Sequence, residues 1–148
     1  MTDKIAIRSA RPGDLDAVFH LDEWRPEEAK ISYWRGIFDR YAVSEAKDRF
    51  FLVAELKGEV VGFIVGEVRA WEFGSPPCGW VFALAVSPKA REYRIGTLMF
   101  DEMCARLKGA GVTTVRTMVD RENRLTLSFF RSQGLRSGRY LQLEKELD

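Results

Sequence analysis

Residues 81–100, VFALAVSPKAREYRIGTLMF, constrain the fold of this chain more than any other stretch. Val81 to Val86 is an unbroken run of apolar and β-preferring residues, which predicts a buried strand. Ser87 and Pro88 end it, because proline has no amide hydrogen for a ladder and biases its predecessor away from helix. A short basic loop follows over Lys89 to Arg94, and a helix begins around Ile95. Ile95, Leu98, Met99, Met103 and Leu107 recur at helical spacing and give that helix one apolar face. The first turn of a helix carries unpaired N–H groups and the positive end of the macrodipole, so phosphate suits this position. Arg91 and Arg94 stand where they can add charge-assisted hydrogen bonds, and Gly96 lets a ligand approach the backbone closely. The competing reading of the stretch is an ordinary strand-to-helix connection with solvated arginines.

Val86-Ser87-Pro88 followed by Arg91-x-x-Arg94-x-Gly96 resembles the acetyl-CoA loop of the GNAT superfamily of N-acetyltransferases, whose pattern is Arg/Gln-x-x-Gly-x-Gly/Ala. Downstream, Asn123, Phe130, Gly134 and Leu135 in NRLTLSFFRSQGL resemble the family's Asn-x-x-Ala…Leu-Tyr-x-x-x-Gly-Phe segment. Each motif is weak alone; order and separation make the pair strong. The resemblance implies an α+β fold, with a mixed, mostly antiparallel sheet flanked by helices in the order β-α-α-β-β-β-α-β-α-β. It covers residues 1–148 as one domain and implies acetyl-CoA as cosubstrate. The acetyl group would pass directly to a primary amine of a protein, peptide or small molecule. In length and layout the similarity to protein N-terminal acetyltransferases is closest, and a homodimer paired through edge strands is the family's habit.

Carried over residue by residue, the resemblance assigns the coenzyme to Leu84, Ala85 and Val86 on the strand. It adds Arg91, Glu92, Tyr93, Arg94, Ile95, Gly96 and Thr97 in the loop and helix start, and Asn123 and Phe130 downstream. The Leu84 amide is then aimed at the thioester oxygen. Asn123 either contacts the pantetheine arm or caps a helix. Arg94 departs from the pattern by replacing the first loop glycine: either its side chain turns outward to a phosphate, which we favour, or the loop is reshaped. Phe130 replaces the tyrosine that many members use to protonate the leaving thiolate, and Thr126 and Leu135 are milder departures. Trp80 and Met118 occupy the positions of the family's usual glutamate bases. Glu67 and Glu72 are the nearest acidic candidates for the base, each with a surface carboxylate as its alternative reading. Tyr140 is a substitute acid. The missing acid and base leave a second function class open, a non-catalytic acyl-CoA-binding sensor or interaction module.

Composition excludes other classes. The 148 residues are 46% hydrophobic and 30% charged, a soluble globular balance, and a net charge of +1 gives no electrostatic case for nucleic acid. No run is long and apolar enough for a membrane span, and Met1-Thr2-Asp3-Lys4 leads straight into a strand-like segment rather than a signal peptide, which reads as cytoplasmic. Cys78 and Cys104 read as free thiols, and one histidine without a CxxC gives no metal site.

Along the chain, Ile5–Arg8 predicts a strand, and Arg11-Pro12-Gly13-Asp14 a turn into a helix that buries Leu15, Val18 and Phe19. A second helix starts at Glu27 and Glu28, with Trp34, Ile37, Phe38 and Tyr41 as a core stripe. Tyr33 and Trp24 fall off that stripe and are the cleft candidates; His20 reads as an edge residue. Phe50–Leu56 and Val60–Val65 are strands joined at Lys57-Gly58, the second continuing through Glu67, Val68 and Trp71. Residues 73–79 form a stiff loop that either flanks the acceptor entrance, with Trp71 and Trp80 beside it, or is a plain turn. Gly109 to Gly111 stops the central helix. Thr113–Val119 is a strand, Asp120 an N-cap, Leu125 and Phe129 the buried face of the next helix, and residues 135–147 one or two final strands.

Overall fold

The alternating start of the chain forms β1 (Ile5–Ser9), and the later apolar runs form β2 (Arg49–Leu56), β3 (Glu59–Arg69), β4 (Cys78–Val86) and a short β5 (Val115–Thr117). The computed structural model, which describes residues 4–23, 25–43 and 46–148, joins them in one sheet in the order β1-β2-β3-β4-β5. Neighbours are antiparallel except β4 and β5, which are parallel. Helices α1 (Leu15–Leu21), α2 (Glu27–Phe38), α3 (Ile95–Gly109) and α4 (Arg124–Ser132) complete the expected order as far as α4. The chain falls into two compact units, Met1–Met118 and Val119–Asp148.

In the first unit, strand alternation sorts side chains to two faces. Phe51, Val53, Phe63 and Val65 share one buried cluster with Val18 of α1 and Trp34, Ile37 and Phe38 of α2. The other face carries glycines beneath α3. A Cβ added at Gly62 would meet the Met99 methyl at 3.0 Å, one at Gly66 the Met103 sulfur at 3.0 Å, and one at Gly79 a Leu107 methyl at 2.6 Å. The absent side chains let α3 lie close to the sheet. Its row of Ile95, Met99, Met103 and Leu107 is buried, each residue contributing about 1.5–3 kcal/mol of transfer free energy. Phe100 is buried beside that row, whereas Leu98, expected in it, lies on the flank and is 40% exposed.

The turn chemistry follows the sequence with local differences. Lys57 and Gly58 both take positive φ, 52° and 79°, as a two-residue hairpin turn requires. Gly111 at φ 97° closes α3, with the Val112 amide reaching back to the Leu107 carbonyl at 3.4 Å. α2 stops at Phe38, and Tyr41 sits in a wider π-type turn, Asp39–Val43, which takes it off the α-helical stripe. β3 ends at Arg69 because Trp71 adopts a left-handed φ of 59°, which no strand tolerates. β5 is shorter than the β-branched run suggested: its register with β4 ends at Thr117.

In the second unit, Asn123 rather than Asp120 caps α4: its Oδ1 accepts the Thr126 amide at 3.1 Å, while Asp120 accepts the Glu122 amide at 2.9 Å in a local turn. Leu125, expected on the buried face, is 70% exposed; Phe130 is buried, with Phe129 edge-on at 5.2 Å. Gly134, at φ 94°, ends the helix, and the Leu135 amide bonds the Phe130 carbonyl at 3.0 Å. The expected final strands do not form among the described residues. Alternation at Leu141 and Leu143 marks a strand-like face, but a strand also needs a partner edge, and these leucines stay exposed. No helix of the described residues is long and apolar enough to cross a membrane.

Candidate active site

β4 is paired on both sides only at its start. Gly79, Trp80 and Val81 face Val115, Arg116 and Thr117 of β5, and the Thr117 hydroxyl closes that ladder on the Val81 carbonyl at 2.7 Å. Beyond Val81 no described strand pairs with that edge. On the other side the register with β3 jumps: Gly66 pairs with Val81 but Val65 with Ala83, so Phe82 is a bulged extra residue. The bulge reverses the hydrogen-bonding phase. Gly79 donates to Thr114 on the β5 side at 2.8 Å, whereas Ser87 donates to Val61 of β3 at 2.7 Å. Counting back from Ser87 by twos, Ala85 and Ala83 face β3, and Leu84 and Val86 turn their amides and carbonyls to the open edge.

That edge runs into the basic loop. Ser87 caps a 3₁₀ turn, Pro88–Tyr93, that buries Ala90 and leaves Lys89, Arg91 and Glu92 exposed. Arg94 is the N-cap of α3 with φ 55° and ψ 37°, a left-handed conformation that glycine takes freely and other residues take at a cost. This accounts for the glycine that the GNAT pattern has there. Arg94 is exposed, and the loop closes into a regular helix start without rearrangement: Leu98 donates to the Arg94 carbonyl at 3.2 Å. Ile95 is buried as the helix's first anchor, and Gly96 and Thr97 lie half-buried in its first turn.

On the α2 face, beside the bulge, lies a polar cluster. The Tyr41 hydroxyl donates to Glu67 Oε2 at 2.6 Å, and Arg69 Nε donates to Oε1 at 3.1 Å. Glu67 stands opposite Trp80 in the β3–β4 register, and its side chain is 18% exposed. Arg69 lies over the Trp80 ring at 4.8 Å, and Phe82, the bulged residue, meets Tyr41 edge-on at 5.3 Å. Burial and the bond to Glu67 push the Tyr41 phenol up to about 12, against the opposing charges of Arg40 and Arg49. Tyr41 is the member of this cluster that pattern reading missed. Its place in an apolar stripe reads as core, and the one available signal is its phenol hydroxyl, a polar tip of the kind that Trp34 in the same stripe also carries in its indole N–H.

The remaining candidates separate. Glu72 is exposed in a 3₁₀ turn outside the cluster. Trp71 and Phe73 flank that turn, 66% and 91% exposed, both at positive φ. Met118 is 70% exposed. Tyr33 is half-buried under the Arg25 guanidinium at 3.8 Å, a packing role, and Trp24 lies outside the described residues. His20 is exposed, with Nδ1 2.7 Å from the Asp16 carbonyl. Asn123, Phe130 and Tyr140 belong to the second unit, where Tyr140 is 44% exposed with Arg139 5.5 Å over its ring.

A family model, that of the acetyltransferase (GNAT) family, matches residues 15–135. An L-2,4-diaminobutyric acid acetyltransferase of Nocardia farcinica is 31% identical over 97 residues, 66% of this chain and 49% of that protein. A mycothiol acetyltransferase of Sanguibacter keddieii is 28% identical over 136 residues, 88% of this chain and 43% of that protein. The chain thus spans less than half the length of these relatives. Among solved structures, an aminoglycoside N-acetyltransferase, AAC(6')-Iy, in complex with CoA superimposes with a TM-score of 0.79 at 15% identity, covering 99% of this chain and 97% of that one. An aminoglycoside 6'-N-acetyltransferase from Acinetobacter baumannii gives 0.79 at 14% identity, covering 98% and 100%. The fold, the split strand and the family match agree: the chain belongs to the acetyltransferase (GNAT) family.

Proposed function

We propose that this chain is an acetyl-CoA-dependent N-acetyltransferase acting on a primary amine. One observation carries the reading: β4 loses its β5 partner at a bulge, and the freed edge leads into the first turn of α3. An extended amide-bearing arm can pair with Leu84 and Val86 as a strand would, while phosphates meet the amides at the helix start and the cations of Arg91 and Arg94. Relatives and structural neighbours named as acetyltransferases support the chemistry, and the acceptors in their names differ.

Acetyl-CoA supplies an activated acetyl thioester. The Leu84 amide, turned to the open edge, donates to the developing oxyanion, a preorganised contact worth about 3 kcal/mol in comparable sites. Glu67 takes the proton of the incoming ammonium. Its carboxylate has room for a further donor, because Tyr41 and Arg69 use two of about four lone-pair positions. The amine nitrogen then forms the C–N bond as the C–S bond breaks, the acetylated nitrogen gives up its second proton to solvent, and the thiolate takes one up from solvent. Glu67→Gln keeps the Tyr41 bond and removes the base. Its acceptor-dependent thiol release should fall about 10²–10⁴-fold with acetyl-CoA affinity unchanged. Full activity in that variant would remove Glu67 from the mechanism. Tight coenzyme binding with no release on any amine would favour the acyl-CoA sensor.

A further inference from the structure

Resting on that transferase reading, we infer that the acceptor is an amine carrying a carboxylate close to the nitrogen to be acetylated, an amino-acid-like molecule rather than a polycation. The ground is the charge around Glu67. Against this one carboxylate stand three guanidiniums: Arg69 bonded to it, and Arg49 and Arg40 at 5.5 and 5.8 Å from the Tyr41 ring centre. Arg69 is matched by Glu67 itself. Arg40 turns its Nε to the Gly36 carbonyl at 3.2 Å within its own helical segment. Arg49 is different: it is half-buried, stands directly across from Glu67 in the β2–β3 register, and makes no ion pair among the described residues.

A half-buried guanidinium held against an aromatic ring is best completed by an anion. The coenzyme's phosphates do not reach it. They belong at the loop after Val86, six residues along the strand from Trp80, about 20 Å at the rise of a β-strand. The anion therefore comes with the acceptor. A carboxylate on Arg49 forms a charge-assisted, bidentate pair and leaves the neighbouring ammonium to Glu67. Tyr41, Phe82 and Trp80 supply an apolar wall along which a short aliphatic spacer fits. A molecule bearing several ammonium groups meets an excess of like charge here.

The test is calorimetric titration of acceptors into the protein saturated with CoA, where no turnover occurs. 2,4-Diaminobutyrate is compared with 1,3-diaminopropane, the same diamine without its carboxylate, and with an aminoglycoside. The diamino acid should bind at least tenfold more tightly than either, the gap narrowing as salt rises. Arg49→Gln should remove most of that gap while retaining acetyl-CoA affinity, which also reports an intact fold. Equal or tighter binding of the diamine or aminoglycoside, absence of binding by the diamino acid, or an unchanged gap in the variant overturns the inference. Thiol release from acetyl-CoA is followed separately: binding without transfer counts against the transferase reading alone, and the affinity ratio still decides this one.

Discussion

Replacing Arg94 by glycine separates backbone strain from charge at the proposed coenzyme loop. Arg94 sits at φ 55° at the head of α3. Holding an L-residue there costs roughly 1–2 kcal/mol, and glycine's greater freedom in the unfolded chain returns roughly 0.5–1 of it. Arg94→Gly should therefore be more stable than the native chain by about 0.5–1 kcal/mol, a rise in Tm of about 2 °C for a chain of this size. Arg94→Ala keeps the strain and should show no such gain. Both variants lose the cation, so both should bind acetyl-CoA roughly three- to tenfold more weakly at low salt, the difference fading as salt screens it. Thermal unfolding and calorimetry on the three proteins give both numbers. Equal stability of the glycine and alanine variants would refute the strain argument, and unchanged affinity in both would mean that the Arg94 side chain points away from the phosphates.

Two further outcomes follow from buried polar contacts. Asp22 is 1% exposed and accepts from Trp34 Nε1 at 2.8 Å and Arg25 at 3.0 Å, so Asp22→Ala strands a buried indole N–H and should cost about 2–4 kcal/mol in urea denaturation; a loss under 1 kcal/mol would contradict this. The Tyr41 phenol, raised from 10.0 to about 12, favours the folded state below pH 10, and that stability is lost as pH climbs through about 12. Its late phenolate absorbance step should move down toward pH 10 in Glu67→Gln; an unmoved step would show that Glu67 does not hold the proton there.

The fold was legible wherever a period and a punctuation mark coincided. The run to Val86, stopped by Pro88, forms a strand, although only Val81 of Val81–Val86 is fully buried, and the helix from Ile95, stopped before Gly111, forms with Leu98 off its buried row. Asn123 and Asp120 show the limit: both side chains can satisfy a helix-start amide, and the choice is set by where the chain turns, which spacing does not encode. The final strands failed for a similar reason, since alternation specifies a face but not a partner. At the site, the loop proposed to hold the coenzyme was readable as a motif because it is contiguous in the chain. The bulge at Phe82 was not, because a bulge is a property of two strands. Nor was the Tyr41–Glu67 bond, which joins positions far apart in the chain and depends on a π-type turn that rotates Tyr41 out of its stripe.

The central claim is that the open β4 edge and the head of α3 hold acetyl-CoA. Calorimetric titration of acetyl-CoA into the native protein and into Gly96→Trp tests it most directly, because an indole in the first turn of α3 blocks approach to the backbone there. The account predicts saturable one-to-one binding to the native chain and none to the variant, with the variant's circular dichroism unchanged. Native protein that does not bind, or a folded variant that binds as tightly, would contradict it.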